Sequence, residues 1–143
     1  MAKFYFRYGS MGCGKSLQLL TVSYNYDKYK KDIVVIKPST DIKNPEYIDS
    51  RVGLKRKADI IINGNESFVP YYKQWQNHDI NCILVDEAQF LNGQQIEELW
   101  YVTKKFNIPV ICYGIKTDMN SHLFEGSKRL FELADTCEEL SNI

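Results

Sequence analysis

The run Gly9-Ser10-Met11-Gly12-Cys13-Gly14-Lys15-Ser16 fits the spacing G-x-x-x-x-G-K-[ST] at every fixed position. Directly before it stands the apolar stretch Phe4-Tyr5-Phe6, and directly after it Leu17, Leu20 and Tyr24 recur at helical spacing. Strand, glycine-rich turn and helix start must therefore follow one another without a gap. The layout has a physical purpose. Glycines let the main chain approach an anion, successive amides and the helix N-terminus donate to it, Lys15 reaches the β and γ phosphates, and the Ser16 hydroxyl can ligate Mg²⁺. Gly9, Ser10, Met11, Gly12, Cys13, Gly14, Lys15 and Ser16 are thus the candidate cradle for ATP. Cys13 lies beside a lysine and a helix N-terminus, both of which lower a thiol's pKa, but nothing else marks it as nucleophilic and it is read as a spacer.

Beyond this loop, short apolar runs alternate with longer helical patterns. Ile33–Ile36, Ile60–Ile62, Cys82–Val85 and Val110–Tyr113 read as strands, and they lack polar alternation, as strands covered on both faces do. Helical periodicity runs from Lys15 to about Tyr29 and again from Gly93 to Phe106, where Ile96, Leu99 and Phe106 recur. Asn92 with Gln95 three residues on resembles a capping box for the later helix, and Pro109 suits its exit. The expectation is an α/β fold of the P-loop NTPase, RecA-like kind: a central, mainly parallel sheet flanked by helices, built as one core from 143 residues. The 38–58 segment, with Pro38, Ser39, Thr40, Asp41, Asn44, Pro45 and Gly53, reads as a long turn-rich connection carrying Arg51, Lys55, Arg56 and Lys57. Loops of that length are solvated and mobile or serve as binding lids.

Charge narrows the possible partners. Eighteen basic residues balance eighteen acidic ones, so no net field steers the chain onto nucleic acid or an anionic membrane. No apolar run reaches the roughly 20 residues needed to cross a bilayer, and Met1 to Tyr8 lack a signal-peptide layout, so a cytoplasmic location is expected. Cys13, Cys82, Cys112 and Cys137 form no C-x-x-C pair. Cys82 and Cys112, inside apolar runs, read as small buried hydrophobes, and neither a disulfide nor a metal site is expected of the four.

The apolar run Cys82–Val85 ends in Asp86-Glu87. A strand delivers both carboxylates to the carboxyl edge of the sheet, where neighbouring strand ends would meet the phosphate loop. Asp86 is the candidate partner, with Ser16, for Mg²⁺. Glu87 is the candidate general base toward the group that attacks phosphorus.

Three classes share this equipment. A GTPase would carry Asn or Thr, Lys, any residue and Asp after the fifth strand. Ile115-Lys116-Thr117-Asp118 comes close, but Ile115 supplies no amide, and Asp86-Glu87-Ala88-Gln89 lacks a glycine at its fourth place. A nucleic-acid translocase would need a second motor lobe and a basic track, which a neutral chain of this size does not offer. A small-molecule kinase remains, with a nucleotide-binding module lacking turnover as its alternative.

For the kinase there is a specific resemblance. Phe6-Arg7-Tyr8-Gly9-Ser10-Met11 leading into Gly14-Lys15-Ser16, then Val35-Ile36-Lys37-Pro38 with Asp41, then Ile83 to Phe90, then Tyr113 to Asp118, and finally Leu123-Phe124-Glu125-Gly126-Ser127 resemble in order the blocks of the thymidine kinase type II family. The Asp-Glu-x-Gln-Phe block is the most specific of them. The resemblance implies phosphorylation of the 5′-hydroxyl of thymidine or deoxyuridine by ATP with Mg²⁺, typically in a homotetramer. It also implies that Glu87 accepts the hydroxyl proton and that Met11, Phe90, Ile115 and Phe124 line the nucleoside pocket.

Three departures from the family pattern stand out. Lys43 occupies a position where the family commonly has Arg, offering a point charge in place of a fork. Gly114 to Met119 follow a minority version, with Lys116 and Met119 at positions that are often Asp and Phe. The chain ends at Ile143, where the family's first C-x-x-C would begin. The zinc-bound domain, whose lasso loop closes over the nucleoside, is therefore expected to be absent from this stretch, along with any zinc ligand set of the family's kind.

Overall fold

Both faces of the central sheet carry their own apolar core, and this explains why its strands show no polar alternation. The computed structural model describes residues 1–10, 14–40 and 45–141. In chain order the elements are β1 (Phe4–Gly9), α1 (Lys15–Lys28), β2 (Ile33–Pro38), β3 (Tyr47–Asp49), β4 (Lys55–Lys57), β5 (Ile60–Ile62), α2 (Tyr72–Asn77), β6 (Cys82–Val85), α3 (Gly93–Phe106), β7 (Val110–Ile115), α4 (Glu125–Leu133) and β8 (Thr136–Glu139), with 3-10 turns at Val69–Tyr71 and Ala88–Phe90. Six strands form one sheet in the order β5-β2-β6-β7-β1-β8, and every pairing in it is parallel.

Successive residues of a strand point to opposite faces. Phe4, Phe6, Val34, Ile36, Ile83, Val85, Val110 and Cys112 join one core with Ile96, Leu99 and Val102 of α3, Leu130 of α4 and Trp75 of α2. Val35, Cys82, Leu84, Ile111 and Tyr113 join the other with Leu19 and Leu20 of α1. Cys82 and Cys112 are thus buried, one on each face, as their apolar neighbours predicted. Burial pushes the Cys82 thiol up to about 11, consistent with an inert packing group.

The capping box forms as expected. The Gln95 amide N–H donates to Asn92 Oδ1 at 2.8 Å, and the Asn92 N–H donates to Gln95 Oε1 at 2.9 Å. At its far end α3 stops on Asn107 in the left-handed region (φ 55°), with Lys104 and Lys105 in the last turn, where a cation suits the helix dipole. Lys104 meets Asp135 at 2.6 Å, and Asp135 also accepts the Phe4 N–H at 2.8 Å, so one carboxylate joins the exit of α3 to the start of β1.

Two expectations need correction. Tyr24 does not belong to the buried stripe of α1: it is 70% exposed, and the helix buries Leu19, Leu20 and Ser23 instead, because the inward face is set by where the sheet lies and not by the most regular apolar spacing. The described part of the 38–58 segment, residues 38–40 and 45–58, is also more regular than its turn residues suggested. β3 and β4 pair antiparallel within it, outside the main sheet, and fully buried Ile48 packs them onto the α1 side. Arg56 pairs with Asp59 at 3.1 Å and Lys55 lies 5.1 Å from the Tyr47 ring, so two of its basic residues are engaged locally. Strands of three residues are too short to leave a periodic signal. The Lys37 ammonium, buried at the end of β2, donates to the Tyr47 carbonyl at 2.5 Å and anchors this hairpin to the sheet.

Candidate functional site

Because the sheet is parallel, the ends of β1, β6 and β7 lie along one edge, and the candidate residues converge there. Gly9 closes β1 and lies opposite Ile115, which closes β7. Gly14 takes φ 85°, a left-handed conformation suited to glycine, and turns the chain into α1, whose first residue Lys15 is buried to 8% exposure. Ser16 follows in the first turn of α1. Met11, Gly12 and Cys13, together with Asp41 and Lys43, lie outside the described residues.

The acidic pair does not stand on a strand adjacent to β1. The order β6-β7-β1 inserts one strand between them, so the tips carrying Asp86 and Gly9 are two inter-strand spacings apart, roughly 10 Å. Sequence order gives the sequence of strands but not their neighbours, and here the chain places β2 and β6 on the far side of β7. α1 packs on β1, β2 and β7, with its N-terminal turn at this same edge.

Asp86 is 2% exposed, and its N–H donates to the Ile36 carbonyl at 2.9 Å, extending the β2–β6 pairing by one residue. At Glu87 the backbone turns sharply to φ 50°, ψ 42°, a left-handed conformation costly for a residue with a side chain. The turn Ala88–Phe90 follows, closed by the Phe90 N–H on the Glu87 carbonyl at 3.1 Å. Glu87 is half-buried, while Gln89 is buried at 3% exposure. The Gln89 amide donates to Glu87 Oε2 at 2.5 Å and accepts the Ile115 N–H at 3.2 Å.

The tip of β7 is held from its other side by α4, where Ser127 Oγ donates to the Ile115 carbonyl. Two glycines allow these elements to meet. A Cβ at Gly114 would lie 2.7 Å from Gln89 Oε1, and one at Gly126 would lie 2.5 Å from the Ala88 carbonyl oxygen and 2.6 Å from that of Leu91. Phe90, 42% exposed, stands edge-on to Phe124, with ring centroids 5.8 Å apart at 81°.

Of the residues singled out from sequence, Gly9, Gly14, Lys15, Ser16, Asp86, Glu87, Phe90, Ile115 and Phe124 therefore share the carboxyl edge, and Ser10 follows β1 directly. Gln89, Gly114, Gly126 and Ser127 were not assigned a role, although each lies inside a block that carried the family resemblance. Their signal was that membership alone. Asp118, the residue that gave the guanine-reading motif its near match, accepts the Asn120 N–H at 2.8 Å and the His122 N–H at 3.1 Å and so closes its own turn. Among the described residues no cluster of three or more His, Cys, Asp or Glu is placed to hold a metal, and no helix is long and apolar enough to cross a membrane.

Known proteins agree with this layout. The Pif1 helicase from Candida albicans superposes with a TM-score of 0.52 at 18% identity, covering 100% of this chain and 36% of that one, a likeness of fold alone. In sequence, the thymidine kinase of Pasteurella multocida is 42% identical over 144 residues, covering all of this chain and 75% of the relative. That of Streptococcus thermophilus is 40% identical, with 72% of the relative covered, and that of Enterobacteria phage T4 is 38% identical, with 75% covered. A family model described as thymidine kinase matches residues 2–143, and with it and these relatives the chain belongs to the thymidine kinase family.

Proposed function

We propose that these 143 residues are the ATP-binding core of an enzyme that phosphorylates the 5′-hydroxyl of thymidine, and of deoxyuridine. The observation that carries the reading is the meeting of Glu87, Ile115, Phe90 and Phe124 beside the start of the phosphate loop at Gly9, in a chain whose relatives are thymidine kinases.

The Gly9–Ser16 loop holds the triphosphate through its amides and Lys15. Mg²⁺ suits the donors available at this edge, the Ser16 hydroxyl and the Asp86 carboxylate, both hard oxygens. When bound, the ion neutralises charge on the β and γ phosphates. Glu87 faces the acceptor. The nucleoside oxygen attacks the γ phosphorus, the bond to the β–γ bridging oxygen breaks, ADP leaves, and the hydroxyl proton passes to the Glu87 carboxylate. Phe90, Phe124, Ile115 and Met11 supply flat or apolar walls for a pyrimidine ring. The homotetramer, the cytoplasmic location and a role in deoxynucleoside salvage for DNA synthesis rest on the family resemblance, with light scattering as the check on assembly.

A nucleoside panel with ATP tests the reading, and thymidine-dependent ADP formation is expected. Phosphate release that ignores every nucleoside would move the chain to the ATPase class. Within the same assay Glu87→Gln should bind ATP normally and lose about 10²–10⁴-fold in kcat. Equal loss of binding and turnover would contradict the assigned role.

A further inference from the structure

We propose that Gln89 is the positioning residue for Glu87, fixing that carboxylate to the tip of β7 through a single buried amide. The inference rests on the reading of Glu87 as the group that receives the nucleoside's hydroxyl proton.

Chemistry alone fixes the orientation of the amide. A carboxylate only accepts and a main-chain N–H only donates, so Nε2 must face Glu87 and Oε1 must face Ile115, as observed at 2.5 Å and 3.2 Å. At 3% exposure the Gln89 amide itself has little access to water, so losing either bond leaves its polar atoms without a ready substitute. The space is reserved for this group: at Gly114 any side chain would press on Gln89 Oε1, its Cβ only 2.7 Å away.

Both polar groups of the Ile115 peptide are occupied, the N–H by Gln89 and the carbonyl by Ser127. Ile115 also pairs with Gly9, where the phosphate loop begins. Glu87 is thereby referenced to the phosphate cradle through one side chain and one strand pair. It gains from such support, because it stands on a costly left-handed backbone (φ 50°) and its long side chain is only half-buried. In a transfer that depends on positioning, an acid held within a few tenths of an ångström of its working place differs greatly from one free to rotate.

The test is a kinetic cycle on the full chain with ATP and thymidine. Gln89→Met keeps length and volume but loses both bonds, whereas Gln89→Glu keeps an acceptor for Ile115 and sets a second carboxylate against Glu87. Each should lower kcat roughly 10- to 100-fold, the scale of a hydrogen bond to a charged group, while ATP affinity stays within about twofold. In a Glu87→Gln background, Gln89→Met should cost less than about twofold more, since its effect passes through the missing acid. The same loss in both backgrounds would mean a purely architectural role and overturn the proposal, as would full kcat in Gln89→Glu. Should Gln89→Met fail to fold by circular dichroism, Gln89→Glu carries the cycle. Full kcat in Glu87→Gln itself would instead sink the reading of Glu87, a distinct result.

Discussion

Gly9 and Ile115 are the last paired residues of β1 and β7, so the entry to the phosphate loop and the proposed nucleoside wall stand side by side across one parallel pair. The Ile115 backbone is held by Gln89 and Ser127, and in the proposed site its side chain would be part of the nucleoside wall. Truncation to Ala removes only the second. Ile115→Ala should raise KM for thymidine about tenfold, the scale of a few lost methylene contacts, with KM for ATP unchanged. Steady-state kinetics at saturating ATP measure it, and a parallel rise for both substrates would speak against the assignment.

Lys15, buried at the first position of α1, is the one charged side chain in the proposed Gly9–Ser16 phosphate cradle. Lys15→Met keeps the aliphatic stem and deletes the charge. ATP affinity should fall by about 100-fold or more, the scale of losing a charge-assisted phosphate contact. The thermal stabilisation that ATP gives the parent protein should vanish with it. Calorimetric titration and melting with and without ATP are the two readouts.

Gly126 packs under three carbonyls of the turn after β6, those of Ala88, Leu91 and Gln89, at 2.5, 2.6 and 3.0 Å from where a Cβ would stand. Backbone cannot yield as a flexible side chain can. Gly126→Ala should therefore destabilise the fold by about 1–3 kcal/mol, the usual cost of overpacking. It should also lower kcat, because the displaced turn carries Glu87. Urea denaturation gives the first quantity and the thymidine assay the second, and an unchanged midpoint would show that the turn moves freely.

Asp135 gives the protein a pH-sensitive tie. Burial pushes its carboxyl up, but the Lys104 hydrogen bond, the Phe4 amide and the charges of Lys104 and Lys3 together pull it below the ordinary value of 3.8. A depressed folded-state pKa gives stability that is fully present above the unfolded value and lost as pH falls through the folded one. Asp135→Asn should cost on the order of 1 kcal/mol at pH 7 and progressively less below about pH 4. Denaturation at a series of pH values checks the convergence of the two proteins.

The five principal strands and the start of α1 after Gly14 were readable because each has a local signature: unbroken apolar runs, or a glycine beside a lysine. The same holds for the Asn92 cap, whose partner lies three residues away. β8 was missed because its residues Thr136–Glu139 are mostly exposed and polar, with a strand identity that comes from pairing with β1 and not from their own composition. α4 has a strongly one-sided pattern but only nine residues, too short a run for its period to stand out from the sequence. The position of Glu87 at a strand end was legible. Its link to Ile115 through Gln89 was not, because it joins residues 26 positions apart and depends on strand order.

The first strand of the chain is an interior strand, held between β7 and β8, whose residues lie more than 100 positions later. During synthesis at roughly 5–20 residues per second, the aromatic segment Phe4–Tyr8 must wait on the order of 5–20 s for its partners to leave the ribosome. Completion of the sheet around β1 thus waits for β7 and β8, and folding should be slow, as for other topologies dominated by distant pairings. Until β7 and β8 have been made, Phe4 and Phe6 lack the strands that complete the sheet around them.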